Sequence, residues 1–207
     1  MTQSGWHDSG FGVALRLKHR VAELVELARW LATGRQPPSP RFVKQRTVRG
    51  YARRFGLTTL IETGTFQGAM IASVKRVFSR IVSIELDATL YRRARSRFDP
   101  YPHIEIVRGD SAVALAHVVR ERPEPCVFWL DAHYSGGETA HGDRETPIEA
   151  EVAIVLARKN PKDVILIDDA RLFTGGSYPS REQLHRKTAA SHLHHFEVRD
   201  DIIRIHS

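Results

Sequence analysis

From Thr58 onward, short apolar runs alternate with amphipathic segments, and most of the runs close on an acidic residue. This alternation restricts the fold more than any other feature of the chain. Short apolar runs suit strands buried on both faces, and the amphipathic stretches between them supply the helices that cover those faces. The spacing predicts strands over Thr58–Glu62, Arg80–Leu86, His103–Val107, Pro125–Asp131 and Asp163–Asp168. Helices are expected over Gln67–Phe78, Ala88–Phe98, Ser111–Arg120, Ile148–Arg158 and Arg181–Leu193. Phe196–Val198 and Ile202–Ile205 then form a terminal antiparallel hairpin, which gives an α/β, doubly wound, mostly parallel seven-stranded sheet.

What precedes the sheet reads as a helical extension. The chain has 207 residues, enough for one full core plus such an addition. Met1–Gly10 is a polar tail without a signal-peptide core, and no apolar run is long enough to span a bilayer. Over Phe11–Thr33, Leu17, Val21, Leu24, Ala28 and Leu31 form one helical stripe. It is expected to pack on its own domain or to pair with a second copy in a homodimer. Glu23 and Glu26 interrupt the basic face that a membrane-surface helix would present. Gln36–Pro40 is a stiff linker, so the chain divides into 1–40 and a main domain at 41–207.

A second helix, Arg41–Phe55, carries Arg41, Lys44, Arg46, Arg49, Arg53 and Arg54. Two roles stay open for it: a solvated basic face, or a phosphate-attracting rim beside a substrate mouth. The formal net charge of +7 favours an anionic partner and equally fits a basic surface with no specific partner. Cys126 is the only cysteine and lies in an apolar run, so no intramolecular disulfide can form. A buried thiol of this kind fits a cytoplasmic protein.

In an open α/β sheet the ligand sits at the carboxyl ends of the strands. The first strand ends in Glu62-Thr63-Gly64-Thr65-Phe66-Gln67-Gly68, a turn running into a helix start. Gly64 lets a ligand approach the main chain, and Gly68 lets the helix pack close to the strand. A dinucleotide fingerprint has glycine where this loop has Glu62, and a carboxylate there repels a pyrophosphate and suits a positively charged ligand. The second strand delivers Glu85, placed to grip a ribose diol, and the third delivers Asp110-Ser111, with Ser111 equally able to be a helix cap. The fourth and fifth strands end in Asp131 and in Asp168-Asp169. Three carboxylates in one crevice repel one another unless a cation binds them, and hard oxygen ligands suit Mg²⁺, with Mn²⁺ or Ca²⁺ as alternatives. Against this, Asp169 can cap a following turn and Asp131 can bind an amine. In the long loop Ala132–Pro147, His133 lies two residues past Asp131, with His141 and Glu145 as further candidates.

Taken together, Glu62-x-Gly64-x-x-x-Gly68, Glu85, Asp110 and the two acidic strand tips resemble the class I S-adenosylmethionine-dependent methyltransferases over Thr58–Phe173. The resemblance implies a Rossmann-like fold and S-adenosylmethionine held by Glu62, Thr63, Gly64, Thr65, Gly68, Glu85, Asp110, Ser111 and Asp131. Asp131 with Asp168-Asp169 is similar to the metal site of cation-dependent O-methyltransferases of the macrocin type. That likeness implies a divalent ion on Asp131, Asp168 and Asp169, with His133 or Asp131 taking the proton. The function expected is metal-assisted O-methylation of a small-molecule hydroxyl of sugar or natural-product type, on an acceptor that can be anionic. One alternative is a nucleic-acid methyltransferase acting on RNA: Asp131-Ala132-His133-Tyr134 resembles its D/N-P-P-Y/F motif but lacks both prolines. The other is a non-catalytic nucleotide-binding protein of the same fold.

Overall fold

The computed structural model describes residues 21–131 and 146–207. Its strands are β1 (Thr59–Thr63), β2 (Arg80–Glu85), β3 (Ile104–Arg108), β4 (Cys126–Leu130), β5 (Val164–Ile167), β6 (His195–Arg199) and β7 (Ile202–His206). They form one sheet in the order β3-β2-β1-β4-β5-β7-β6. The pairs from β3 through β5 are parallel, and β7 runs antiparallel to both β5 and β6. The doubly wound sheet with its terminal hairpin is therefore the one expected from the pattern.

The described helices are α1 (21–32), α2 (Arg41–Phe55), α3 (Ala69–Val74), α4 (Ala88–Phe98), α5 (Ser111–Arg120), α6 (Ile148–Ala157) and α7 (Arg181–Ala189). Alternate strand residues feed two cores, one on each face of the sheet. Leu60, Ile81, Val127, Trp129 and Leu166 pack with α2, α3 and α4. Ile61, Val82, Phe128, Leu130 and Ile165 pack with α5, α6 and α7. The central strands β1, β4 and β5 are buried at every position, which is why they read as continuous apolar runs.

Two helices are shorter than their sequence patterns. The one expected over Gln67–Phe78 is confined to Ala69–Val74, because Gly68 takes a left-handed φ of 69° and holds the chain out of the helix until Ala69. The one expected to reach Leu193 ends at Ala189. Cys126 is fully buried, its thiol beside the Glu124 carbonyl at 3.1 Å, and burial pushes its pKa up to about 12.

The N-terminal stripe behaves differently from one of its two expectations. Val21, Leu24 and Leu31 are 52%, 61% and 47% exposed, so the helix does not bury this face on its own domain. Among the described residues of α1 only Trp30 is buried, its indole N–H donating to the Gln36 carbonyl at 2.8 Å. Leu17 lies outside the described residues. An apolar face of this kind favours self-association. Sedimentation should accordingly show a dimer that Leu24→Glu with Leu31→Glu converts to a monomer, and a monomeric parent chain would show that the stripe has no such partner.

Candidate active site

The crevice is built by the carboxyl ends of β1, β2, β4 and β5. Main-chain bonds lock these ends in step. Asp131 N–H donates to the Thr63 carbonyl at 3.2 Å, Asp168 N–H to the Leu130 carbonyl at 3.1 Å, and Gly109 N–H to the Glu85 carbonyl at 3.0 Å. The tips of successive strands therefore deliver Glu62, Glu85, Asp131 and Asp168 along one edge.

The turn after β1 is held from below. Gly64 has φ 80°, and its N–H donates to the Ile84 carbonyl at 3.0 Å. Phe66 is also left-handed at φ 48°, and its N–H donates to Glu85 Oε2 at 2.7 Å. The other Glu85 oxygen accepts the Asp87 N–H at 2.9 Å. Glu85 thus holds the loop, a task that its spacing did not reveal. Gly68 is a close approach too, but to a different neighbour than expected. A Cβ there would stand 2.6 Å from the ring of Phe98, so the glycine admits α4 rather than the strand.

Glu62 is buried, with the Ser83 hydroxyl donating to it at 2.6 Å and the Thr65 hydroxyl 2.6 Å beyond. Burial raises its pKa to about 8, and the charges of Asp131 and Glu85 add to the shift. On the next turn, Asp110 rather than Ser111 is the cap of α5, its Oδ1 accepting the Ala112 N–H at 2.8 Å. Ser111 is the first helical residue and is buried.

Two functional candidates were missed in the sequence. Glu151 of α6 is fully buried and has no hydrogen-bond partner of good geometry for either oxygen, although the Ser111 and Thr63 hydroxyls lie beside it. Burial raises its pKa to about 7. Lys44 is the second. Its Nζ lies 2.5 Å from Asp168 Oδ2 and 3.5 Å from Asp169 Oδ1. Burial lowers the ammonium's pKa, but Asp168, Asp169 and Asp131 outweigh it and hold the group above its ordinary value. One signal would have found both residues. Lys44 continues the stripe of Val48, Tyr51 and Phe55, and Glu151 stands on the stripe of Ile148, Val152 and Val155. A charge on an apolar stripe is the feature to look for.

Asp131, Asp168 and Asp169 do come together. Each offers an oxygen, and these atoms all lie within 4.8 Å of one another. Oxygens on opposite sides of a bound ion stand up to about 5.2 Å apart for Ca²⁺ and about 4.2 Å for Mg²⁺, so the spacing fits Ca²⁺ as it stands and Mg²⁺ once the side chains draw in by a few tenths of an ångström. Asp168 and Asp169 are buried, and burial with the charge of Asp131 pushes Asp168 up to about 8. Arg171 neutralises part of the trio, its guanidinium 2.7 Å from Asp169 Oδ1, and it also pairs with Asp201. Asp169 starts the short turn Ala170–Leu172 without a side-chain cap bond, so capping is not its task. His133, His141 and Glu145 lie outside the described residues.

The buried acids set a pH dependence. Glu62 titrates near 8 when folded against an ordinary value of 4.5, so its contribution to stability is whole below about pH 4.5 and is lost as the pH rises through 8. Glu151 acts in the same direction with its folded value of about 7. Urea unfolding of the ligand-free protein should show stability falling by on the order of a few kcal/mol from about pH 5 to about pH 8.5. Glu62→Gln should flatten that slope; an unchanged slope in the variant would show that Glu62 ionises freely in the fold.

No protein-family model matches the chain, and no curated protein matches its sequence. Solved structures do match in fold. An O-methyltransferase from Bacillus cereus in complex with SAH superposes with a TM-score of 0.59 at 16% identity, covering 88% of this chain and 89% of that one. TomG from Streptomyces achromogenes, an O-methyltransferase of tomaymycin synthesis solved with SAM, gives 0.59 at 17%, covering 82% and 80%. The SAH-bound Podospora anserina methyltransferase PaMTH1 gives 0.58 at 15%, covering 100% and 99%. With this strand order, this terminal hairpin and these neighbours, the chain has the class I S-adenosylmethionine-dependent O-methyltransferase fold.

Proposed function

We propose that the chain transfers a methyl group from S-adenosylmethionine to a hydroxyl of a small molecule, with a divalent cation on Asp131, Asp168 and Asp169. The observation that carries this reading is the convergence of those three carboxylates at the tips of β4 and β5, beside the crevice formed by Glu62, Gly64 and Glu85. When bound, the cofactor would supply a sulfonium methyl, and a cation on the three aspartates, Mg²⁺ in the first instance, would lower the pKa of the acceptor hydroxyl.

The chain's own residues do the positioning. Glu85 takes the ribose diol with the lone pairs its two backbone donors leave open. Glu62, neutral while buried alone, becomes the counter-charge of a cationic ligand above it. Asp110 and Ser111 sit where the adenine end is bound, and Thr63 and Thr65 line the floor. His133 or Asp131 takes the proton from the acceptor. The exposed Arg41 and Arg46, in the half of α2 that carries Lys44, give this end of the sheet a basic character that suits an anionic acceptor.

The test is methyl transfer from labelled S-adenosylmethionine to a panel of hydroxylated small molecules, in the presence of Mg²⁺ and in excess chelator. Transfer to oxygen that the chelator abolishes is the result expected. Transfer undiminished in chelator would assign the acids to something other than a catalytic metal, and transfer only to RNA would replace the small-molecule acceptor.

A further inference from the structure

α2 is the most basic helix of the described chain, yet only one of its cations enters the crevice. Arg41, Arg46, Arg53 and Arg54 are exposed, whereas the Lys44 side chain is 19% exposed and ends among the three aspartates. Lys44 continues the apolar stripe of Val48 and Tyr51 that seats α2 on the sheet, so the docked helix puts the ammonium within reach of this place. Once there, Nζ takes Asp168 Oδ2 at 2.5 Å and approaches Asp169 Oδ1 at 3.5 Å.

Asp168 and Asp169 are two of the three carboxylates that a divalent ion would need. An ammonium and a metal ion bound to the same carboxylate oxygen would stand only about 3–4 Å apart, where two positive charges in a partly buried pocket repel strongly. The two occupancies therefore exclude each other. We propose that Lys44 is the resident cation of the aspartate trio and that a divalent ion binds only by displacing its ammonium. This rests on the reading of Asp131, Asp168 and Asp169 as a cation site. With the site unloaded, Lys44 keeps three crowded carboxylates from repelling one another. On loading, the ammonium leaves Asp168 and α2 loses one of its ties to the tip of β5. The wild-type protein should accordingly bind divalent ions more weakly than its donor set alone would allow.

The experiment is a calorimetric titration of the wild-type protein, Lys44→Met and Lys44→Arg with Mn²⁺. Methionine keeps the apolar stem and removes the charge, and arginine keeps the charge. The expected result is Mn²⁺ binding about tenfold or more tighter in Lys44→Met than in wild type, with Lys44→Arg close to wild type. Equal or weaker binding in Lys44→Met would overturn the displacement and leave the metal site standing. No Mn²⁺ binding by any of the three proteins would overturn the cation site itself, and the displacement with it. Should Lys44→Met fail to fold, the wild type decides alone. In protein labelled with ¹⁵N-lysine, the protected Lys44 ammonium resonance should disappear on saturation with Mg²⁺, and its persistence in the metal-bound protein would overturn the proposal.

Discussion

Asp168→Ala is expected to lower methyl transfer about 100-fold or more while leaving the affinity for S-adenosylhomocysteine nearly unchanged. The asymmetry follows from position. Asp168 stands at the tip of β5, on the far side of β4 from the loop after β1 where we propose that the cofactor binds. Its Oδ2 faces Lys44 and its Oδ1 accepts the Asp169 N–H at 2.8 Å, so it belongs wholly to the cation side of the crevice. The fold should tolerate the change, because burial and Asp131 already oppose the charge being removed. The measurement is turnover beside calorimetry of product binding, with circular dichroism as the control. An enzyme of undiminished turnover would remove the trio from the chemistry and leave His133 as the candidate base.

Glu85→Ala should have the opposite signature. A lost hydrogen bond from a charged acceptor to the ribose costs about 1.5–3 kcal/mol, or roughly 10–100-fold in affinity. The structure raises that expectation. The same carboxylate receives the N–H of Phe66, which holds a left-handed backbone in the loop under the ligand. Removing it loosens the loop as well as the ribose grip, so Glu85→Gln, which keeps one acceptor oxygen, should fall between the wild type and Glu85→Ala. The check is calorimetry with S-adenosylhomocysteine. Tighter binding of NAD than of the sulfonium cofactor by the wild type would show that the crevice serves a different ligand.

How much was legible in advance depended on whether the chemistry lay along the chain or across it. β4 and β5 are apolar runs delivering a carboxylate at the tip, and both the strands and the placement of Asp131 and Asp168 can be read directly from such runs. The loop from Glu62 to Gly68 is local in the same sense: its glycines and acid carry their reason within a few residues. Lys44 and Glu151 are not local. Each reaches the crevice only because a helix docks on the sheet in one rotational setting, and that setting is fixed by residues far away in sequence. The neighbour of Gly68 was misjudged for a related reason: Phe98 arrives from the end of α4, some thirty residues on. The basic helix was left between two roles because its charges were read as one group. Only the phase of the helix separates Lys44 from the four exposed arginines.

The state of Cys126 has a practical consequence. The chain contains one sulfhydryl, and it is buried at the start of β4 with its thiolate form suppressed. Maleimide reagents should therefore leave the native protein unmodified. A cysteine introduced at an exposed position, such as Arg46 of α2, becomes the single reactive handle without any need to replace the native one. Paired with a second engineered handle on the outer face of α4, it offers a spectroscopic ruler across the mouth of the crevice. Fluorescence or spin-label distances could then follow α2 in solution as metal and cofactor are added.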